Sequence, residues 1–261
     1  MKTLIYQYWI GDMPTYARIS RQLFEDYARK IGADYRFDKD PDFIRGKFAR
    51  YFAALRPVHD EAFHVYDRVL YVDMDIIPLA SVSRNIFDEP VGHLAMVEET
   101  GQPAARDGKT GNINLRNDRR WARMIRLRWG IRVPVDELNR PRVFNTGLVL
   151  YSREGLKFVR DNFPKIRSYQ LASSLARLPD FYRIDQNYLG AFIALRGCDF
   201  TLLPVEWNSQ VLSFSDKTGA AILVDSRTAN SRFIHMQHSA RAGMTAEQVL
   251  AVSRSEYDFR P

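Results

Sequence analysis

The sequence predicts an α/β fold, in which strands alternate with helices and the helices cover both faces of one sheet. Three observations support this prediction. Short apolar segments typical of buried strands recur along the chain, segments with helical periodicity lie between them, and no internal repeat or low-complexity linker interrupts the order. With 261 residues, 46% of them hydrophobic, the chain is long enough to bury one sizeable core.

The first half of the chain is predicted to alternate regularly between strands and helices. Pro14 and Gly32 are typical residues for the start and the end of its first helix. A continuous apolar run at 68–75 indicates a strand that is buried on both faces. In order, we expect a strand at 3–9, a helix at 13–32, a strand at 33–38, a helix from 46 to Pro57 and a strand at 68–75.

The second half is predicted to contain further strands and helices in the same alternation. The expected strands are at 92–99, 146–152, 199–207 and 231–237. The expected helices are Asp118–Trp129, Arg153–Asn162 and Asp185–Leu195.

Several classes of protein are disfavoured by composition. The chain has no run of about 18 apolar residues, so we expect no transmembrane helix. Residues 1–12 contain one lysine and no small-residue cleavage site, which indicates a first strand rather than a signal peptide. The single cysteine, Cys198, excludes an internal disulfide and suits a reducing compartment, so we expect a cytoplasmic protein.

Two carboxylates lie at the end of this predicted strand, in the stretch "RVLYVDMDIIP" (Arg68–Pro78). In α/β sheets ligands gather at the carboxyl ends of strands. If this segment is extended, Asp73 and Asp75 point the same way, because residues two apart share a side of a strand. A hard divalent cation such as Mg²⁺ or Mn²⁺ relieves the repulsion between such carboxylates, although a solvated turn after a strand gives the same pattern.

Four further stretches accompany the Asp-x-Asp pair, and together they carry a family resemblance. They are "KFARY" (Lys47–Tyr51), "FNTGLVLYS" (Phe144–Ser152), "DQNYL" (Asp185–Leu189) and "IHMQHSAR" (Ile234–Arg241). In order and spacing they resemble motifs of nucleotide-sugar glycosyltransferases of the GT-A fold, particularly the retaining family-8 type. The Gly-x-x-Lys-Pro-Trp ending of that family is missing.

The resemblance implies a single catalytic domain over residues 1–261. Its fold would be a GT-A, Rossmann-like mixed sheet, mostly parallel and flanked by helices, with a basic helical insertion on the acceptor side. A nucleotide-binding half would occupy about 1–100, the basic acceptor-side segment about 101–142, and a half that binds the donor sugar and the acceptor about 143–261.

The resemblance also implies which residues bind the metal and the donor. Asp73, Asp75 and His235 would hold Mn²⁺ or Mg²⁺, which stabilises the leaving diphosphate of a nucleoside-diphosphate sugar, expected to be UDP-linked. Arg241 stands where the family has a lysine on the diphosphate, and arginine suits that role because it grips phosphate bidentately. Lys47 and Arg50, three apart on the predicted helix, would also reach the donor, unless they are ordinary solvated charges.

The remaining implied residues concern the sugar and the base. Asn145 and Gly147 would lie beside the donor sugar, and Asp185 and Gln186 would orient sugar and acceptor; Asp185 is also a typical helix cap. The sequence offers no obvious nucleophile for the anomeric carbon, which agrees with the retaining front-side displacement proposed for the family. Tyr8 and Trp9, with Tyr6, are candidates for stacking on uracil or another base, while packing within the strand is the alternative for the tyrosines.

The net charge of +7 lies in one segment, because Gln102–Arg142 holds eleven basic and four acidic residues while the remainder balances. Within it, a predicted helix places the side chains of Trp121, Met124, Ile125 and Trp129 on one face. The opposite face could be a solvated surface or could bind a polyanion, namely nucleic acid, an anionic glycolipid or an anionic membrane leaflet. The arginines assigned to that face are Arg116, Arg119, Arg120, Arg123 and Arg126.

Two other functions remain open from the sequence. The paired aspartates are also compatible with a metal-dependent phosphoryl- or nucleotidyl-transfer enzyme, although no Gly-rich phosphate loop follows the first strand. A basic nucleic-acid-binding module with a vestigial donor site is the second alternative.

Overall fold

The computed structural model describes residues 1–44, 46–107, 111–215 and 221–259. These residues form the strands β1 (Thr3–Trp9), β2 (Asp34–Lys39), β3 (Arg68–Val72), β4 (Ile76–Pro78), β5 (Leu94–Glu98), β6 (Phe144–Ser152), β7 (Phe200–Leu203), β8 (Ser209–Ser215), β9 (Ala221–Asp225) and β10 (Phe233–His238). The helices are α1 (Thr15–Ile31), α2 (Ala49–Phe52), α3 (Arg56–His59), α4 (Gln102–Arg106), α5 (Leu115–Trp129), α6 (Arg153–Asn162), α7 (Ile166–Leu175), α8 (Asp185–Phe192) and α9 (Ala246–Ser253).

The central layer is a six-stranded sheet with the strand order β2-β1-β3-β6-β5-β7. Strand β6 runs antiparallel to its neighbours β3 and β5, whereas the other pairs of adjacent strands are parallel. The prediction of a mixed, mostly parallel sheet is therefore confirmed. Because β6 is reversed, its first residues lie at the same edge of the sheet as the carboxyl ends of β3 and β5. The polar side chains that follow β3 and β5 therefore lie near those at the start of β6.

Both faces of this sheet are buried, as the apolar strand sequences indicated. Along β1, Leu4 and Tyr6 pack into one cluster and Ile5 into another, because successive side chains of a strand point to opposite faces. The first cluster includes residues of α5, α7 and α8, and the second is covered by α1.

A second sheet, which the sequence did not predict, has the strand order β4-β10-β8-β9. It carries the late histidine to the end of the central sheet, since His235 pairs with Ile76 in the antiparallel β10–β4 ladder. The backbone N–H of Met236 donates to the carbonyl of Asp75 at 2.9 Å. The position of the histidine next to the Asp-x-Asp turn is thus fixed by backbone pairing.

The helix predicted from 46 to Pro57 is wrong in its bounds. The α-helical turn Ala49–Phe52 is followed by a 3₁₀ turn, Ala53–Leu55, and then by α3, and Lys47 lies in the turn before Ala49. Helix α3 then contains Pro57 in its first turn, where proline is tolerated because its missing N–H would have no helical partner. Lys47 and Arg50 therefore do not share a helical face, contrary to the prediction.

Helix α5 begins three residues before its predicted start. Asn114 caps it, because the Asn114 side-chain oxygen accepts a hydrogen bond from the N–H of Asn117 at 2.8 Å. Its apolar face packs into the main core, with Trp121 and Ile125 buried. The predicted helical spacing of that face is confirmed.

Candidate active site

The Asp-x-Asp pair lies in a turn, not on an extended strand as the sequence analysis assumed. Strand β3 ends at Val72, and residues 73–75 connect it to β4 with Met74 buried between the two aspartates. The two carboxylates nevertheless converge with the ring of His235. One ligand atom from each of Asp73, Asp75 and His235 lies within 4.8 Å of the others.

A chain of hydrogen bonds sets the tautomer of His235. The Asn145 side-chain oxygen accepts from the backbone N–H of Gly147 and from Nδ2 of Asn208, both at 2.9 Å. Oδ1 of Asn208 therefore faces the ring and lies 3.0 Å from Nδ1 of His235. Since that oxygen can only accept, Nδ1 carries the proton and the lone pair of a neutral imidazole is on Nε2.

The cluster fits a divalent cation. Nε2 of His235 lies 3.2 Å from Oδ1 of Asp75, and this buried oxygen has no hydrogen-bond partner. Burial lowers the pKa of His235, so the ring is neutral and two acceptor atoms face one another. A cation bound by both atoms removes this conflict, and the mixed carboxylate and imidazole set suits Mn²⁺ better than the all-oxygen preference of Mg²⁺.

Glycine is required at position 147 because any larger residue would collide with side chains of the site. A Cβ on Gly147 would lie 2.6 Å from the His235 ring and 3.0 Å from a carboxylate oxygen of Asp73. The residue belongs to an irregularity in the pairing of β6 with β5, where the register shifts between Met96 and Val97. Such a bulge redirects side chains, and here it turns Asn145 and its neighbours toward the cluster.

Asp185 is buried, with 7% of its surface exposed, at the first turn of α8. Its carboxylate accepts a hydrogen bond from the hydroxyl of Thr146 on β6 at 3.1 Å, and the preceding residue, Ile184, occupies the helix-cap position. Burial, and then the charge of Asp73, raise the pKa of Asp185 to about 8. Burial likewise raises the pKa of Asp73, and a cation bound here would favour the ionised form of this carboxyl group.

The basic residues predicted for the donor surround the same opening. Arg241 forms an ion pair with Asp75, and its guanidinium also donates to the carbonyl of Met236 at 3.2 Å. Lys47 is exposed and pairs with Asp180, and Arg50 donates to the hydroxyl of Tyr51 at 2.9 Å.

A cavity of about 850 Å³ joins these groups. Its volume is within the range of small-molecule sites. Every residue predicted for metal, donor and catalysis lines it: Tyr8, Trp9, Lys47, Arg50, Asp73, Asp75, Asn145, Gly147, Asp185, Gln186, His235 and Arg241.

The aromatic candidates divide between core and cavity. Tyr6 is buried and packs edge-on against Phe63, so its role is strand packing. The ring of Tyr8 stacks on Tyr71 with centroids 5.8 Å apart and contributes to the cavity wall. Trp9 also lines the cavity, and its ring meets Tyr16 edge-on at 6.2 Å.

The arginines assigned to the acceptor do not line this cavity. From the basic segment, the cavity wall receives Gln102, Arg106 and Ile113. Arg120 donates to the carbonyls of Ala176 and Arg177 at 3.0 and 3.2 Å, just after α7. The other four, Arg116, Arg119, Arg123 and Arg126, are exposed to solvent on α5.

Sequence reasoning missed two residues of the site. Glu99 follows β5, lines the cavity and accepts from Nδ2 of Asn145 at 2.7 Å. Its position after an apolar strand is the same signal that identified Asp73, so the sequence contained it. Asn208, which orients His235, is the last residue of a short 3₁₀ turn, Val205–Asn208, and had no sequence signal of its own.

Comparison with known proteins relates this architecture to sugar-transferring enzymes. No protein-family model and no curated protein sequence matches the chain. Among solved structures, galactosyltransferase LgtC in complex with donor and acceptor sugar analogs is similar over 97% of this chain and 95% of its own, with a TM-score of 0.51 and 14% identity. Mouse xyloside xylosyltransferase 1 in its apo form is similar over 90% of this chain and 97% of its own, with a TM-score of 0.50 and 14% identity. The chain therefore has the GT-A fold of glycosyltransferases.

Proposed function

We propose that the protein is a metal-dependent glycosyltransferase that moves a sugar from a nucleoside-diphosphate sugar to an acceptor. One observation carries the proposal. In a GT-A fold, two carboxylates and an imidazole converge at the wall of a large cavity, and one buried carboxylate oxygen lacks a partner that a cation would supply.

The roles of the residues follow from their positions. Asp73, Asp75 and His235 would hold Mn²⁺, which when bound acts as a Lewis acid that stabilises the charge developing on the leaving diphosphate. Asn208 holds the His235 ring in the tautomer that offers Nε2 to the metal. Arg241 lies at the same carboxylate, so its guanidinium is placed to contact phosphate oxygens beside the metal.

The rest of the cavity supplies surfaces for the base and the sugar. Tyr8 and Trp9 provide an aromatic wall for a nucleobase, which we propose to be uracil, with Lys47 and Arg50 near the rim. Asp185 and Gln186 line the same cavity at the start of α8, where they would orient the sugar and the acceptor. Both polar groups of the Asn145 amide bond to the protein, so we assign it a positioning role.

We further propose retention at the anomeric carbon, as the family resemblance implies. Proton NMR of the product distinguishes the outcomes, because the coupling constant of the anomeric proton reports α or β configuration. A product whose anomeric configuration differs from that of the donor would contradict retention.

The acceptor, or the surface that carries it, is proposed to be anionic. This rests on the exposed arginines of α5, which lie outside the cavity and so would contact a distant part of the acceptor, or its carrier, rather than the reacting hydroxyl.

The deciding experiment incubates the purified protein with a panel of nucleotide sugars and Mn²⁺ and separates the products chromatographically. A glycosyltransferase that hydrolyses its donor slowly releases a nucleoside diphosphate and free sugar. Nucleotidyl transfer or phosphodiester hydrolysis instead yields a nucleoside monophosphate and a sugar phosphate, and a vestigial binding module yields no product. Release of nucleoside diphosphate that stops in excess chelator is the expected result; any other pattern rejects the proposal.

Arg241→Ala is expected to weaken binding of the nucleoside diphosphate by roughly 1.5–3 kcal/mol, the range for a hydrogen bond to a charged group. Isothermal titration calorimetry with UDP and Mn²⁺ measures the change. Arg241→Lys is the matched variant, and it should recover part of the affinity because it keeps the charge but loses bidentate geometry. Unchanged affinity in Arg241→Ala would show that this residue does not contact the phosphates.

A further inference from the structure

The outer surface of two neighbouring helices, α5 and α7, combines exposed leucines with exposed arginines. Leu127 on α5 is 75% exposed, and Leu171 and Leu175 on α7 are 62% and 76% exposed. Leu171 and Leu175 are four residues apart and therefore share one face of α7. We call the outward-facing residues of these two helices the α5–α7 surface.

The two helices pack side by side through their inner faces. Nε1 of Trp121 donates to the hydroxyl of Tyr169 at 3.1 Å, and the ring of Trp129 stacks on the same tyrosine with centroids 6.2 Å apart. Arg120 ties α5 to the end of α7 through the carbonyls of Ala176 and Arg177. These contacts use the inner faces, so the leucines and the remaining arginines face solvent.

The charge on this surface is positive and is not neutralised by the part of the chain that the structure describes. Helix α7 contains no acidic residue, and the single acid of α5, Asp118, is buried in an ion pair with Arg106 at 3.0 Å. The exposed arginines that form no ion pair or hydrogen bond with another described residue are Arg116, Arg119, Arg123, Arg126 and Arg128 on α5 and Arg167 on α7.

The side chains beside these arginines distinguish between nucleic acid and an anionic lipid surface as the partner. Binding of splayed bases needs exposed aromatic rings, but Trp121 is 4% exposed and Trp129 is stacked on Tyr169. The side chains that are exposed are leucines, which cannot stack on bases and which gain free energy when they enter the boundary of the acyl chains. Leucine together with unpaired arginine matches an anionic lipid surface.

We propose that the α5–α7 surface docks on an anionic bilayer, with its leucines in the acyl boundary and its arginines on lipid phosphates. No helix among the described residues is long and apolar enough to cross a membrane. The chain segment after α7 leads directly to Asp180 and Phe181 in the cavity wall. If the proposed transferase activity holds, docking would place the cavity near a lipid-borne acceptor.

Co-sedimentation with vesicles tests the docking without any use of catalysis. The full chain should bind vesicles of phosphatidylcholine mixed with phosphatidylglycerol, bind pure phosphatidylcholine much more weakly, and lose affinity as salt increases. Reversal of Arg119, Arg123 and Arg126 to Glu should lower the partition coefficient more than about a hundredfold, since each basic residue contributes roughly fivefold. Replacement of Leu127, Leu171 and Leu175 by Ser should lower it at least about tenfold.

The controls use exposed arginines and exposed apolar residues elsewhere on the surface. Reversal of Arg18, Arg84 and Arg196, or replacement of Leu202, Val205 and Val224 by Ser, should leave vesicle binding near that of the wild type. Hydrolysis of the donor should survive in all these variants, so a failure of the transferase proposal is recognised separately. Wild-type binding by the leucine variant, equal binding to neutral vesicles, or binding to single-stranded DNA without binding to vesicles would each overturn the docking proposal.

Discussion

Asp75→Asn is expected to reduce turnover by at least about a thousandfold and to remove the stabilisation of the protein by Mn²⁺. A bound metal contributes several kcal/mol to the transition state, and each 1.36 kcal/mol corresponds to a factor of ten in rate. The variant loses an anionic ligand, and its amide nitrogen can donate to Nε2 of His235, which in the wild type lies 3.2 Å from a bare oxygen. The variant also loses the anionic charge of the Asp75–Arg241 ion pair, so we expect the metal-free variant to unfold at about the same temperature as the wild type.

Thermal unfolding with and without Mn²⁺ separates this result from simple misfolding. At a metal concentration about a hundred times the dissociation constant, the wild type should gain about 2.7 kcal/mol, or roughly 5–10 °C in melting temperature. Asp75→Asn should show no such gain, whereas the control Asp26→Asn, on the exposed side of α1, should respond like the wild type. Full turnover in excess chelator, or in the variant, would reject the metal assignment.

The parts of the site that the sequence predicted are those with a local signal. Asp73 and Asp75 follow a strand that is buried on both faces, and unpaired acids at such a place are costly unless a ligand compensates for them. His235 and Arg241 were assigned to the site through the family resemblance. In the structure, the pairing of β10 with β4 brings His235 next to the Asp-x-Asp turn, and Arg241 lies in the turn just after β10. The local geometry assumed for the aspartates was wrong, because the strand ends before them, yet their convergence was predicted correctly.

The parts that the sequence did not predict depend on distant contacts. The hydrogen bonds that fix His235 run from Glu99 through Asn145 and Asn208, and these residues come from separate regions of the chain. No periodicity or short motif relates them. Strands β8 and β9 and helix α7 were also missed; α7 has no side-chain cap at its start, so the usual boundary signal is absent.

For helix α5 the predicted pattern of faces was correct, but its exposed side chains favour a lipid surface as the partner. Helical spacing predicted one apolar and one basic face, and both exist. The sequence could not show that Trp121 and Trp129 would contact Tyr169 on α7, because that helix was not predicted. Neither tryptophan is therefore free to stack on a base, and the exposed leucines direct the inference to a lipid surface.

Asp185→Asn is expected to stabilise the metal-free protein at pH 8 while reducing turnover by about a hundredfold or more, the scale for loss of an oriented polar group at the reacting centre. The pKa of Asp185 is raised to about 8 in the folded state, mainly by burial, against about 3.9 in the unfolded chain. The unfolded chain therefore releases this proton first. The contribution of Asp185 to stability is fully present below about pH 4 and is lost as the pH rises toward 8.

Asparagine removes that loss because it does not titrate, and its carbonyl oxygen can still accept the hydrogen bond from Thr146. The gain at pH 8 should be at most about 5 kcal/mol, since each unit of pKa difference corresponds to 1.36 kcal/mol. It should shrink toward zero near pH 4. Denaturant unfolding of wild type and variant in chelator, repeated from pH 4 to about pH 9, measures the difference as a function of pH.

The surface residue Asp161 provides the control for this experiment. Its pKa is lowered by the hydrogen bond from Arg160, so its ionised form is favoured in the folded protein and Asp161→Asn should give no gain at high pH. A stability difference for Asp185→Asn that does not change with pH would show that the carboxyl titrates normally. Turnover at the wild-type rate would show that Asp185 is a structural acid; stability gained together with activity lost is the result expected of a buried carboxylate that is retained for catalysis at the expense of stability.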